Sequence, residues 1–253
     1  MALTPRVTDE AAYVLHRYDW SEASLVLEVF ARRAGRVVLV AKGVKRPSSQ
    51  FRPVLLPLQP LRLSWGGDAE VRTLKAAQWQ GGHVMPTGDA LLAGSYLNEL
   101  VLRLLARDDP HPALFDHYAL AVALLAQQPQ AQAPVLRAFE LLLLRAVGLL
   151  PELDREGSTL APLKDGTLYR LVPDTGVRAL ADGEEGGLPA VVWHGLAQSL
   201  ASQTPLTDAL PWCAQAAGVL RSQLLHLLHY HSGVREFRTR RLMRDVQQLA
   251  SSS

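Results

Sequence analysis

Two hydrophobic periods divide the chain. Over the first eighty residues, short runs rich in Val, Leu and aromatics (Ala12 to His16, Ser24 to Phe30, Arg36 to Ala41, Val54 to Pro60 and Arg62 to Trp65) are separated by turn-formers such as Asp19, Gly35, Pro47 and Gly66-Gly67. The pattern predicts five strands. In Leu25-Val26-Leu27-Glu28-Val29-Phe30 the apolar positions are nearly continuous, as in a strand covered on both sides or curled into a small barrel. Five short strands point to a small closed β-barrel, and strand count alone leaves the OB-fold and the SH3-like barrel both open.

From Thr87 the period lengthens. Leu91, Leu92, Tyr96, Leu100 and Leu104 recur at helical spacing behind Thr87 as a cap, and Asp108-Asp109-Pro110-His111-Pro112 ends the run. Leu114 to Gln127 predicts a second helix. Val135, Phe139, Leu142, Leu143 and Ala146 mark a third, opening after Pro134 and ending at Gly148, and the three are expected to form a bundle. Residues 149–189, rich in Gly, Pro and acidic side chains, read as a loop-rich insertion around an isolated strand, Thr167 to Val172. Helix then returns over Val191 to Ser202, Leu210 to His231 and Thr239 to Leu249, with breaks at Pro205 and Gly233. The expected class is α+β, mainly β then mainly α, with a barrel domain over 1–80 and a helical domain over 81–253.

Composition supports a folded chain, since 48% of the 253 residues are hydrophobic. The single cysteine, Cys213, allows neither an internal disulfide nor a thiolate zinc cage. No basic stretch followed by a long apolar run opens the chain, and the longest apolar stretch, Tyr118 to Ala126, is short of a bilayer span. The expectation is a soluble cytoplasmic protein with no membrane partner. Net charge is +2, but its layout is uneven: residues 1–80 hold 12 Lys/Arg against 7 Asp/Glu, residues 81–219 hold 8 against 15, and residues 220–253 hold 6 against 2. Basic ends attract polyanions because each phosphate contact releases condensed counterions. Ordinary solvated faces would give the same layout.

The common catalytic signatures are missing. The chain lacks a Walker loop, G-x-G-x-x-G, H-E-x-x-H and G-x-S-x-G, so it is read as a non-enzyme with no cofactor. His226 and His229 share a helix face at i and i+3, but His231 points elsewhere and no carboxylate at helical spacing supplies a third ligand, so no metal site is expected. The basic residues carry more information. Lys42, Lys45 and Arg46 follow the third strand in a loop expected to project into solvent, and Arg17, Arg36 and Arg52 extend that patch if the barrel forms. Tyr18 and Phe51 are candidate stacking platforms for bases, with barrel core as the alternative for each. Near the C-terminus Arg235, Arg238, Arg240, Arg241 and Arg244 crowd together, placed either to extend a nucleic-acid path or to neutralise the acidic middle of the chain.

Tyr13-Val14-Leu15-His16-Arg17-Tyr18-Asp19-Trp20-Ser21-Glu22-Ala23-Ser24-Leu25, followed by Gly35-Arg36-Val37-Val38-Leu39-Val40-Ala41-Lys42-Gly43-Val44-Lys45-Arg46, resembles the opening of the RecO family of recombination mediators. Tyr96-Leu97-Asn98-Glu99-Leu100, the helix from Leu136 to Leu141 and the Arg-rich close around Arg238 to Leu242 agree in order and spacing. The resemblance implies an N-terminal OB-fold and a helical C-terminal domain. It implies binding to single- and double-stranded DNA, annealing of complementary strands, and partnership with RecR and with the acidic C-terminal tail of single-stranded DNA-binding protein (SSB), so that RecA loads onto covered strands near the nucleoid. Arg17, Arg36, Lys42, Lys45, Arg46, Arg52, Arg238, Arg240 and Arg241 are the DNA-binding candidates under this reading. An acidic peptide ending in apolar residues wants an apolar groove with a cation at its rim, for which Arg137, Phe139, Leu142 and Leu143 are the candidates. Some family members carry a four-cysteine zinc site, but the corresponding region here, about Leu149 to Leu171, has no cysteine. A non-catalytic adaptor gripping SSB and RecR, with weak DNA binding, is the rival reading.

Overall fold

The computed structural model describes residues 6–67 and 72–251. The elements run β1 (Arg6–Asp19), β2 (Leu25–Ala31), β3 (Gly35–Ala41), β4 (Leu61–Gly66), β5 (Arg72–Trp79), α1 (Gly88–Leu104), α2 (Pro112–Gln127), α3 (Gln132–Ala146), β6 (Leu168–Val172), β7 (Gly176–Ala179), β8 (Leu188–Pro189), α4 (Ala190–Leu200), α5 (Pro205–Gln215), α6 (Ala217–Ser232) and α7 (Arg238–Ser251). Strand gives way to helix between Trp79 and Gly88. Compactness divides the chain elsewhere, into one unit of β1 through α2 together with α7 and a second unit of α3 through α6.

In the first unit the strands close in the order β1-β2-β3-β5-β4, with β4 returning antiparallel to β1 and β3 pairing β5 in parallel. This is the five-stranded OB-fold barrel. Alternation fills its interior with Ala12, Val14, Leu27, Val29, Val37, Leu39, Leu61 and Leu63. The outward residues Tyr13 and Phe30 meet Phe115 and Tyr118 of α2 at ring-centroid distances of 5.0 to 5.8 Å. Coverage on both faces is the reason the Leu25 to Phe30 run is almost unbroken. Gly35, at φ 70°, starts β3 so close to the turn after α1 that an added Cβ would lie 2.1 Å from the Asp109 carbonyl oxygen.

Two strand expectations fail here. Val54 to Pro60 forms turns and one bridge, Val14 to Pro57, because Pro53, Pro57 and Pro60 cannot donate to a ladder; Leu55 and Leu58 are buried all the same and so imitate a strand in the sequence. The fifth strand is Arg72–Trp79, whose burial is confined to Leu74 and a few half-buried neighbours, which leaves little apolar signal. The expected three-helix bundle is also corrected. α1 packs on α2, β1 and α7, whereas α3 packs on α5 and α6. Thr87 stands at the α1 N-cap position with extended backbone but makes no side-chain capping bond.

In the second unit, the helix expected over Leu210 to His231 breaks at Ala216, where backbone at φ −96° and ψ 7° ends α5 and begins α6. Cys213, Ala216 and Leu220 stay buried across the break, so periodicity alone runs straight across it. The insertion is more ordered than its composition suggests, since β6 pairs with β7 and β8 in a three-stranded sheet. Gln223 of α6 anchors that sheet: its Oε1 accepts from Leu171 N–H at 2.8 Å and its Nε2 donates to the Gly186 carbonyl at 2.8 Å. Trp193 Nε1 donates to the Tyr169 carbonyl at 3.4 Å, and Arg178 grips Glu184 through two bonds of 2.7 Å. Among the described residues no helix is long and apolar enough to cross a membrane.

Candidate nucleic-acid interface

The site is set by one irregularity in β1. Val14 pairs with Val29 but His16 pairs with Glu28, so Leu15 is the extra residue of a bulge. Beyond it the strand is re-phased. Arg17 lies across from the barrel-interior Leu27, while His16 and Tyr18 lie across from Glu28 and Val26. Side chains at 17 and at 16 and 18 therefore serve two different faces of the same strand end.

The inner face opens at the barrel mouth. Arg17, Lys45 and Arg52 line a cavity there with Leu25, Val44 and Leu55. Arg17 Nη1 donates to the Leu55 carbonyl at 3.3 Å, and Lys45 Nζ donates to the Ser21 carbonyl at 3.0 Å and pairs with Asp19 at 2.6 Å. The loop carrying Lys42, Lys45 and Arg46 is not a projecting hairpin end, as expected from the sequence, but a turn bonded to the β1–β2 turn through Lys45 N–H to the Ala23 carbonyl. Lys42, Arg46 and Arg52 are exposed and have no carboxylate partner among the described residues. Phe51, a candidate stacking ring, is half-buried against the barrel core.

The outer face forms a recess of about 500 Å³ lined by His16, Tyr18, Glu28, Arg36, Asn98, Glu99, Arg103, Arg238 and Thr239 among others. Arg36 is the clearest departure from expectation. It is a wall of this recess and not part of an exposed patch, since its Nη1 donates to the Leu102 carbonyl at 2.9 Å and lies 3.8 Å from Glu28. Burial holds its pKa below the usual guanidinium value, with Glu28 opposing that shift. Glu28 also pairs with Arg107.

The Tyr96-Leu97-Asn98-Glu99-Leu100 stretch explains how α7 reaches the barrel. Asn98 Nδ2 donates to the Leu15 carbonyl at 3.1 Å and its Oδ1 accepts from the Tyr118 hydroxyl, fixing α1 to the bulge. The Glu99 carboxylate accepts from the backbone N–H groups of Arg238 and Thr239, each at 2.9 Å, and from the Thr239 hydroxyl at 2.6 Å. A carboxylate on the first amides of a helix satisfies donors with no partner inside the helix and complements its dipole. At the next residue of α7, the Arg240 guanidinium lies 5.0 Å from the Tyr96 ring centroid. Arg238 and Arg241 are exposed, so this part of the C-terminal arginine cluster belongs with the barrel.

The tail-binding candidates lie in the interior of α3's packing. Arg137 is 3% exposed and bonded to Glu140 within α3, and Phe139, Leu142 and Leu143 are all buried, so they do not line an open groove with a cation at its rim. α3 is apolar on nearly every side because α5 and α6 cover it, and Arg137 answers a carboxylate one turn away. Two aromatics went unselected in the sequence, His16 and Trp20. With Tyr18 they occupy alternate positions 16, 18 and 20, a spacing that was visible. Arg103, alone in the last turn of α1, gave no such signal.

Among the described residues no group of three or more His, Cys, Asp or Glu is placed to hold a metal ion. Cys213 is buried in α5, its thiol pushed up to about 12 by desolvation. With Cys213 as the single cysteine, the side chains present do not fit a four-cysteine zinc site, and the three-stranded sheet is held by Gln223, Trp193 and Arg178.

Family comparisons agree with this architecture. The model of the Recombination protein O N terminal matches residues 6–82, and that of the Recombination protein O C terminal matches residues 85–241. The chain is 58% identical over 247 residues to the DNA repair protein RecO of Polaromonas sp. (strain JS666), covering 97% of this chain and 99% of that protein. Against the DNA repair protein RecO of Variovorax paradoxus it is 58% identical over 258 residues, covering 98% and 100%, and against that of Delftia acidovorans 56% over 256 residues, covering 98% and 100%. With both halves matched and relatives aligned end to end, the chain belongs to the RecO family of DNA repair proteins.

Proposed function

We propose that this protein binds single- and double-stranded DNA at the barrel mouth and anneals complementary strands without covalent chemistry. One observation carries the reading. Lys42, Arg46 and Arg52 stand exposed with no carboxylate partner among the described residues, beside the Arg17 and Lys45 cavity, on an OB-fold barrel. Cations not engaged within the chain lower the repulsion between two phosphate backbones, so that bases can find register. In the same reading the protein acts in the cytoplasm at the nucleoid with RecR and with the acidic tail of SSB, and assists RecA loading onto covered single strands. The family resemblance supports those partners.

The test is a fluorescence titration of oligonucleotides across salt concentrations. Lys42→Ala, Arg46→Ala and Arg52→Ala together are expected to weaken binding and to shrink the salt slope by up to about three phosphate equivalents. An unchanged slope removes the loop from the interface. Annealing of two complementary oligonucleotides by the purified protein separates a strand annealer from a pure adaptor, which would leave the rate at its spontaneous value.

A further inference from the structure

The cavity at the mouth and the recess outside the barrel differ in chemistry. The mouth is lined by cations and aliphatic side chains and has no aromatic ring. In the recess the rings of His16 and Tyr18 meet edge to face, with centroids 4.4 Å apart, and Tyr18 is 48% exposed. Its polar groups sort into two kinds. Glu28 is held by Arg36 and Arg107, Glu99 by the start of α7, and Asn98 by Leu15 and Tyr118. Arg103 and Arg238 are exposed and have no carboxylate partner among the described residues. What faces a ligand is therefore the His16 and Tyr18 rings and two guanidinium groups, in a volume typical of small-ligand sites.

A guanidinium suits a phosphate, and an exposed ring suits the face of a base. Bases inside a duplex are stacked on one another and cannot lie on a protein ring, whereas an unpaired base can. We propose that the recess takes one unstacked nucleotide of a single DNA strand, with its base on Tyr18 and the flanking phosphates on Arg103 and Arg238. The mouth, lacking a ring, holds phosphates of either single or paired strands. Trp20, 69% exposed at the next alternate position, offers a second platform to the neighbouring base. The two faces of the β1 end thus divide the work: one distinguishes a single strand from a duplex and the other does not. This inference rests on the DNA-binding reading above.

Affinities of Tyr18 variants for a single-stranded oligonucleotide and for the corresponding duplex test it. Tyr18→Ala is expected to lose roughly tenfold on the single strand, the scale of one base–aromatic stack, and to keep its duplex affinity. Tyr18→Phe retains the ring and is expected to keep both. Arg103→Ala with Arg238→Ala is expected to lower the single-strand salt slope by about 1.4, for two phosphates at the single-strand coefficient, and to leave the duplex slope alone. Equal losses on both substrates, no loss with Tyr18→Ala, or failure of Tyr18→Phe to restore binding would overturn the assignment. A normal salt slope in the Lys42, Arg46 and Arg52 variant, combined with a strand-selective loss in Tyr18→Ala, would remove the mouth and leave the recess standing. Absence of any DNA binding by the unaltered protein would overturn both.

Discussion

Five arginines of the second unit differ in state from a group of cations in the first. In the second unit, Arg137 is engaged with Glu140, Arg145 with the Leu200 carbonyl, Arg155 with Glu152 and Asp154, and Arg170 and Arg178 with Glu184, while Arg235 is exposed. In the first unit, Arg32, Arg33, Arg62 and Arg72 are likewise paired with carboxylates, but Lys42, Arg46, Arg52, Arg103, Arg238 and Arg241 have no carboxylate partner among the described residues. The unpaired set gathers around the barrel mouth, the recess and the start of α7. A count of charges cannot separate these populations, because pairing is decided by where the carboxylates fall in the fold. The unpaired basic residues of the first unit are thus available to an external polyanion, and the paired ones named in the second are spent on its own architecture.

The largest effect should come from breaking an internal pair. Arg137→Ala removes the guanidinium facing Glu140 in the core and is expected to cost ~3–5 kcal/mol in urea unfolding while leaving DNA affinity intact. Replacing both partners by apolar residues of similar size, Arg137→Met with Glu140→Leu, should recover most of that loss, since a buried pair is held at a desolvation cost. A drop in DNA affinity in the double variant, with stability restored, would contradict the division drawn between the units.

Next in size is the anchor of the insertion. Gln223→Ala leaves Leu171 N–H and the Gly186 carbonyl without their partner, at an expected cost of ~1–3 kcal/mol. Hydrogen exchange should then quicken in β6 and the Gly186 loop and remain slow in the barrel. Faster exchange throughout the barrel would show that the two units do not unfold separately.

Legibility in the sequence followed burial. The barrel strands β1 to β4 and helices α1 to α4 were readable because each buries one face, or both, and so leaves a period. β5 was not, since it buries chiefly Leu74, and Val54 to Pro60 took its place because Leu55 and Leu58 are buried in a segment whose prolines forbid a ladder. For the site, Arg17, Lys45 and Arg52 were identified and do meet in one cavity. Arg36 and Arg137 were indistinguishable from them, because nothing local reveals that Glu28, the Leu102 carbonyl or Glu140 will be waiting. The link from Glu99 to Arg238 and Thr239 spans 139 and 140 residues and leaves no periodic trace.

That long link gives a smaller and more selective prediction. Glu99→Ala removes the acceptor of two backbone amides and a hydroxyl at the start of α7, with an expected cost of ~1–2 kcal/mol. Because Arg238 is set on the recess by this contact, the variant should lose single-strand affinity and retain duplex affinity, following Tyr18→Ala in kind. Faster hydrogen exchange confined to α7 would show that positioning is at fault and not the barrel. Equal weakening on both forms of DNA would place α7 outside the recess.

The smallest expected effect asks most directly whether pairing state separates the two groups of cations. Lys45 is the one loop cation with an internal partner, Asp19, and the Asp19 carboxylate is largely exposed. An exposed pair of this sort contributes no more than ~1 kcal/mol, so Asp19→Asn should leave thermal stability nearly unchanged. It nevertheless frees a cation inside the mouth and removes a charge that repels phosphate. DNA affinity should rise by about two- to fivefold at low salt, and the salt slope should steepen by up to about one phosphate equivalent, for single strands and duplex alike. Adding Lys45→Ala should cancel the gain. If affinity rises with Lys45 already removed, the effect is general repulsion by Asp19. If it does not rise at all, Lys45 already reaches phosphate despite its partner, and internal pairing is not what sets the two groups apart.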